Sequence, residues 1–409
     1  MNTAAIAHGM DGKLVEPDWA PLTLAEVREL LDQFPACGEP IEILSVSPRP
    51  FSAASVVRTP GGRVFIKRHH RTVRDREGLL EEHRFMAHLL AHGAAVPRVF
   101  ANDLGETAIE IGEWTYEVHE TPEGVDLYGD AISWTPFRTV AHAHSAGKVL
   151  ARLHCASDSF DAARRKIQPL VASFTIFSAQ DASAEMDRYV AARPALAESA
   201  IVRGCCDEAL ELLAPFHAEL RPLLPALRSM WTHNDLHASN LLWSDDGTDA
   251  RAKAIIDFGL ADRTNAVHDL AHAIERNIVE WLELVDERQG SGFRDQGSAN
   301  SKTGGEDVPI HLDHLIALLD GYEEVRPLSD EEATALAPMT ALCHAEFALS
   351  ETDYFLGVLH SEEKAPMACD GWLVGHARWF RGARGKRLLD AIRRWAAVRV
   401  SHAEGVRQS

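Results

Sequence analysis

Cysteine is scarce in this 409-residue chain. Its six cysteines, Cys37, Cys155, Cys205, Cys206, Cys343 and Cys369, form no CxxC pair and no Cys/His group at zinc spacing. A disulfide framework is therefore not expected, and buried free thiols in a reducing compartment are. Long apolar runs are missing too: nothing approaches the roughly 18 consecutive apolar residues of a membrane span. The start, Met1-Asn2-Thr3, has no basic region leading into an apolar stretch, so no secretory signal is read there. Positive charge is in deficit, with 41 Lys and Arg against 61 Asp and Glu and a formal net charge of −20. That argues against a nucleic-acid partner, which needs a basic face. It is compatible with a cationic substrate, although acidic surfaces also serve solubility alone. There is no GxxxxGK[ST] segment and hence no P-loop, and no repeat at 20–50 residues. These absences leave a cytoplasmic protein without membrane partners; its oligomeric state is not legible.

Apolar residues make up 46% of the chain, enough for a sizeable core. Thr23 and Glu26 form a capping box ahead of Leu24, Val27, Leu30 and Leu31, so residues 1–40 read as a helical extension. From 41 to 120 the signals are strands. One lies at Ile43–Val46, and a hairpin joins Ala54–Thr59 to Arg63–Lys67 through Pro60-Gly61-Gly62. Short strands follow near Ala108–Ile111 and Thr115–Val118, with one helix over Arg76–His92 ending at Gly93. Such a segment makes a small α+β lobe. Residues 121–409 are mostly helical in pattern. They include Ala146, Val149, Leu150 and Leu153 at helical spacing, a helix over Val267–Val285, and a Ser329/Glu332 capping box. The Gly-, Ser- and Asn-rich stretch near 289–309 reads as a flexible insertion.

The chemistry concentrates in His233-Asn234-Asp235-Leu236-His237-Ala238-Ser239-Asn240, followed by Ile255-Ile256-Asp257-Phe258-Gly259. Phosphoryl transfer asks a protein to orient a nucleophile and to neutralise charge on the phosphates. Asp235 offers a carboxylate for the first task, and Asn240 and Asp257 offer oxygen ligands to Mg²⁺ for the second. Gly259 allows a turn with unusual backbone angles. His233 and His237 are four apart, as in a helical zinc pair, but no Glu separates them and Asn234-Asp235 is turn-forming.

Together these segments resemble the catalytic and metal-binding loops of the aminoglycoside phosphotransferase/choline kinase family. HNDLHASN is similar to its H-[GN]-D-x-x-x-x-N loop, Asp257-Phe258-Gly259 to its metal motif, and Asp269-Leu270-Ala271 to a downstream brace. The resemblance implies a two-lobed, protein-kinase-like α+β fold. It implies ATP and Mg²⁺ as cofactors and a hydroxyl of a small polar metabolite, amino alcohol or aminoglycoside-like compound as acceptor. Asp235 would be catalytic, Asn240 and Asp257 would hold the metal, and His233 and Asp269 would support the loops. Lys67, ending the strand Val64-Phe65-Ile66-Lys67, would bind phosphates, steadied by Glu82 or its neighbour Glu81. The loop over residues 48–55 has no glycine, so Ser52 and Ser55 are the candidate phosphate donors there. The lobe connection is placed at Tyr116–Glu120, with Glu117 and His119 at the adenine edge. Asp262, Glu275, Glu280, Glu283, Glu346, Glu351, Asp353 and Tyr354 are candidates for an acceptor wall, or else solvated helix faces. Gly321-Tyr322 with Arg326–Ser329 is similar to a stretch of homoserine-kinase-like members. No Ala-Pro-Glu follows Gly259 at activation-loop distance, which disfavours a protein-serine kinase. A nucleotide-binding regulatory pseudokinase remains the alternative.

Overall fold

A computed structural model describes residues 7–8, 14–281 and 309–407. The expected insertion near 289–309 lies, but for Pro309, outside the described residues. Both capping boxes form: Glu26 N–H reaches Thr23 Oγ1 at 3.2 Å, opening α1 (Leu24–Leu31), and Glu332 N–H reaches Ser329 Oγ at 3.1 Å. Five antiparallel strands follow: β1 (Glu42–Val46), β2 (Ala53–Thr59), β3 (Gly62–His70), β4 (Ala108–Ile111) and β5 (Trp114–Glu120). Helix α2 (Arg76–Ala91) interrupts them, and the sheet order is β1-β2-β3-β5-β4.

The pleat gives this sheet two unlike faces. Val57, Val64, Ile66, Ile109, Tyr116 and Val118 form the outer face and bury against Val27, Leu30 and Leu31 of α1. Each such side chain contributes about 1.5–3 kcal/mol on burial. Glu26 ties the two layers together, accepting from Arg68 at 2.6 Å and from the Tyr116 hydroxyl at 2.7 Å. The inner face, which carries Lys67, is polar.

The remainder is largely helical: α3 (Val140–Ser157), α4 (Ala182–Ala191) and α5 (Ala200–Leu220) precede two small antiparallel strand pairs. In these, β6 (Ser229–Thr232) pairs with β9 (Asp262–Asn265), and β7 (Leu241–Trp243) with β8 (Ala252–Ile255). Then come α6 (Ala266–Ile278), α7 (Leu312–Glu323), α8 (Asp330–Leu342), α9 (His344–Asp353), α10 (Gly375–Arg381) and α11 (Ala383–Arg407). Helix α6 stops at Ile278, short of the expected Val285, because Val279 leaves the helix to bridge Ile310. No helix among the described residues is long and apolar enough to cross a membrane.

Helices α3 and α7 meet glycine to backbone. A Cβ on Gly147 would lie 2.0 Å from the Leu318 carbonyl oxygen, and one on Gly321 would lie 2.1 Å from that of His144. Rigid backbone cannot yield, so Gly147→Ala or Gly321→Ala is expected to destabilise the fold by about 3 kcal/mol. Urea unfolding measures this; an unchanged midpoint would show that the crossing is looser than described.

Candidate active site

The segment after β6 is held from behind. Asp269, in the first turn of α6, accepts the backbone N–H groups of His233 and Asn234, both at 2.8 Å. Burial would raise the Asp269 pKa, but the hydrogen bond and charge of His154 and the His233 amide outweigh it and hold it down at about 2. His154 Nδ1 in turn shares a hydrogen bond with the Tyr322 hydroxyl at 2.7 Å. Gly321 and Tyr322 therefore have places in helix packing and in this chain of hydrogen bonds. His233 accepts the Asp235 N–H on Nδ1 at 3.2 Å and donates from Nε2 to the Ile256 carbonyl at 3.1 Å, linking the two loops. Asn277 adds a second clamp, taking the Ala238 N–H at 3.0 Å and donating to the Leu236 carbonyl at 2.8 Å.

Two backbone positions explain residue choices. Asn234 has φ +62° and Asp257 has φ +60°. Only glycine, and less readily Asn or Asp, adopts this left-handed region cheaply. That is the physical ground for Gly or Asn in the loop pattern at position 234.

Asp235, Asn240, Asp257 and Lys67 all line one cleft between the sheet and the helical part. Asn240 Nδ2 donates to the Asp235 carbonyl at 2.9 Å and to Asp235 Oδ2 at 3.2 Å. Its two amide hydrogens are thus spent on Asp235, and its side-chain oxygen Oδ1, distinct from the backbone carbonyl, is left for a cation. The Ile256 N–H reaches the Asn240 carbonyl at 3.0 Å, setting Asp257 beside it. Lys67 Nζ donates to Asp257 Oδ1 at 2.8 Å. Burial would lower the Lys67 pKa, but the charges of Asp257, Glu117 and Glu82 keep the ammonium above its ordinary value. The same pairing holds the Asp257 carboxyl well below the usual carboxylate range against the effect of its burial. Hard oxygen donors on Asn240 and Asp257 fit Mg²⁺, which prefers such ligands.

Several sequence expectations are corrected. Glu82 does not pair with Lys67: it faces Arg165 Nη2 at 3.4 Å, and Glu81 faces Arg165 Nε at 3.8 Å. The reason is a buried guanidinium between α2 and the metal loop, which also donates to the carbonyls of Gly78, Gly259 and Ala261 at 2.7, 3.0 and 3.1 Å. Ser52 lines the cleft. Ser55 does not, because β2 has already begun and the pleat pairs Ser55 with Ile66 on the outer face. Glu117 and His119 are not at a lobe connection, since β5 runs on to Glu120. Glu117 is a buried carboxylate hydrogen-bonded to the Nε2 atoms of His69 (3.0 Å), His83 (2.8 Å) and His119 (2.8 Å).

None of the candidate acidic residues of the acceptor wall, nor Tyr354, is among the cleft-lining residues. Asp262 caps the backbone of Arg165 and Arg263, Glu346 that of Thr175 and Ile176, and Glu280 pairs with His311. Asp353 lies 3.9 Å from Arg193, and Tyr354 bonds Asp18. Glu283 falls outside the described residues. Trp134, Phe347 and Ile132 wall the cleft beyond Asp235 instead.

Two functional arginines escaped the sequence reading. Arg49, in the glycine-free loop, crosses the cleft to Ser239 Oγ at 2.8 Å and the Ala131 carbonyl at 3.3 Å. Arg276 is fully buried, ion-paired to Asp235 and stacked over Phe347 at 4.8 Å. Burial pushes its pKa down to about 10, so it stays charged at neutral pH. Only the loop position of Arg49 offered a signal; Arg276 had none beyond its place in Glu275-Arg276-Asn277 on the helix behind the loop.

The fold has known counterparts. A microcompartment-associated aminopropanol kinase superposes with a TM-score of 0.56 at 15% identity, over 90% of this chain and 99% of that one. An amicoumacin kinase in complex with AMP-PNP and Ca²⁺ gives 0.52 at 13% identity, over 87% of this chain and 95% of that one. These likenesses show the two-lobed, protein-kinase-like fold. Among curated proteins no match is found. The sequence profile of the phosphotransferase enzyme family matches residues 48–300, more than half the chain. With both loops inside that span, the chain belongs to the phosphotransferase enzyme family.

Proposed function

We propose that this protein transfers the γ-phosphoryl group of ATP to a hydroxyl of a small polar acceptor, an amino alcohol or aminoglycoside-like compound, in the cytoplasm. One observation carries the reading: Lys67, Asp235, Asn240 and Asp257 line a single cleft. Asp235 orients the acceptor hydroxyl and takes its proton, and Arg276 pairs with the carboxylate and fixes its position. Asn240 and Asp257 would hold Mg²⁺, which would neutralise charge on the phosphates. Lys67 exchanges Asp257 for phosphate oxygens. Arg49 brings a guanidinium to the loop where glycine backbone is missing, and its planar fork suits phosphate. Trp134 and Phe347 offer aromatic faces to a cationic acceptor, an attraction of about 0.5–2 kcal/mol.

Coupled ADP release over homoserine, choline, ethanolamine, methylthioribose and amino sugars, with and without Mg²⁺, tests the reading. Magnesium-dependent release with one acceptor class well above the acceptor-free rate is expected. Nucleotide binding with no release for any acceptor would favour the regulatory pseudokinase.

A further inference from the structure

Beside Arg276, three helices bring together Glu275 of α6, His344 at the start of α9 and His376 of α10. All three side chains are at most 4% exposed. Glu275 Oε1 lies 3.5 Å from His344 Nδ1 and 3.2 Å from His376 Nδ1, and the three ligand atoms lie within 4.8 Å of one another. A tetrahedral ion with bonds of about 2.0–2.1 Å has ligand–ligand edges of about 3.3 Å, which these separations straddle. We propose that Glu275, His344 and His376 bind a zinc-class divalent cation within the helical part, with a water completing its tetrahedron.

Three observations support it. Neither ring nitrogen of His344 makes a hydrogen bond, nor does Glu275 Oε2. Buried polar atoms in that condition are costly unless something meets them. Charge is also out of balance: Asp235 and Glu275 share the single guanidinium of Arg276, which leaves a negative excess for a cation to meet. Finally, Trp281 stacks on the His376 ring at 3.7 Å and donates from Nε1 to the Glu275 carbonyl at 2.7 Å, fixing two of the ligands from outside.

The His83–Glu117–His119 group is the contrasting case. Its separations of 2.8 Å are those of hydrogen bonds, and Lys67 lies opposite Glu117 across the strands. It satisfies itself without an ion.

Metal analysis of the full chain, purified without chelator, tests the site. Bound zinc at one equivalent per chain is expected. After chelation, Co²⁺ should give the intense visible absorption of a tetrahedral centre, distinct from the weak absorption of an octahedral oxygen site. Glu275→Gln and His376→Gln should weaken that binding by at least roughly 10–100-fold, while His83→Gln leaves it unchanged. Zinc added to the chelated wild-type protein should raise the thermal midpoint by roughly 5–10 °C, a readout that stands should a variant fail to fold. Absence of zinc uptake by the wild-type chain overturns the proposal. So does a tetrahedral cobalt spectrum that survives Glu275→Gln and His376→Gln but vanishes in His83→Gln.

Discussion

Asp235→Asn should leave a protein that binds nucleotide but turns over at least roughly 10²–10⁴-fold more slowly, the range supplied by a positioned general base. Asparagine is the better variant because of Arg276. Removing the carboxylate with Asp235→Ala strands a fully buried guanidinium, and breaking a buried ion pair from one side costs about 3–5 kcal/mol. Loss of activity in the alanine variant would then mix chemistry with folding. Asparagine keeps the volume and can turn its one side-chain oxygen toward Arg276, while Asn240 keeps its bond to the backbone carbonyl of residue 235. Nucleotide affinity is expected to stay within a few-fold of wild type, because Lys67 and Asp257 are untouched. Near-normal phosphorylation by Asp235→Asn with a defined acceptor would remove Asp235 from the reaction.

Asp257→Asn is expected to act on the other half of the site. Asparagine tolerates the φ of +60° at this position, so the backbone need not change. What goes is the anionic oxygen facing the metal and the counter-ion of Lys67, 2.8 Å away. Activity should fall by roughly 10³-fold or more, as when charge stabilisation of a transferring phosphoryl group is removed. The signature is a response to Mg²⁺ that flattens, in rate and in nucleotide affinity alike. Asp235→Asn should retain magnesium-dependent nucleotide binding. Titrating Mg²⁺ against both variants separates the two roles. A Mg²⁺ response in Asp257→Asn equal to that of the wild type would place the metal elsewhere.

The strands, α1, α2 and the two capping boxes were legible because each depends on neighbours in sequence: alternation, a Gly-Gly turn, a Thr or Ser three residues before a Glu. The two segments proposed to carry the catalytic and metal-binding groups stood out in the sequence for the same reason. His233–Asn240 is one loop, Ile255–Gly259 is another, and the spacing within each fixes which side chains share a surface. The pleat decided what spacing alone left open. It sent Ser55 to the face of Ile66 and set Glu117 beside Lys67 on the opposite face.

Sequence by itself thus determined the class of chemistry, since its reactive groups sit within short segments whose local geometry is dictated by residue type. Tertiary structure alone decided the partners. Glu82 meets Arg165 across 83 positions, and Arg49 meets Ser239 across 190. Arg276, Glu275, His344 and His376 converge from three helices. Such pairings follow from how helices and sheet pack, and the free energy that selects them belongs to the whole core, so no window of sequence contains it.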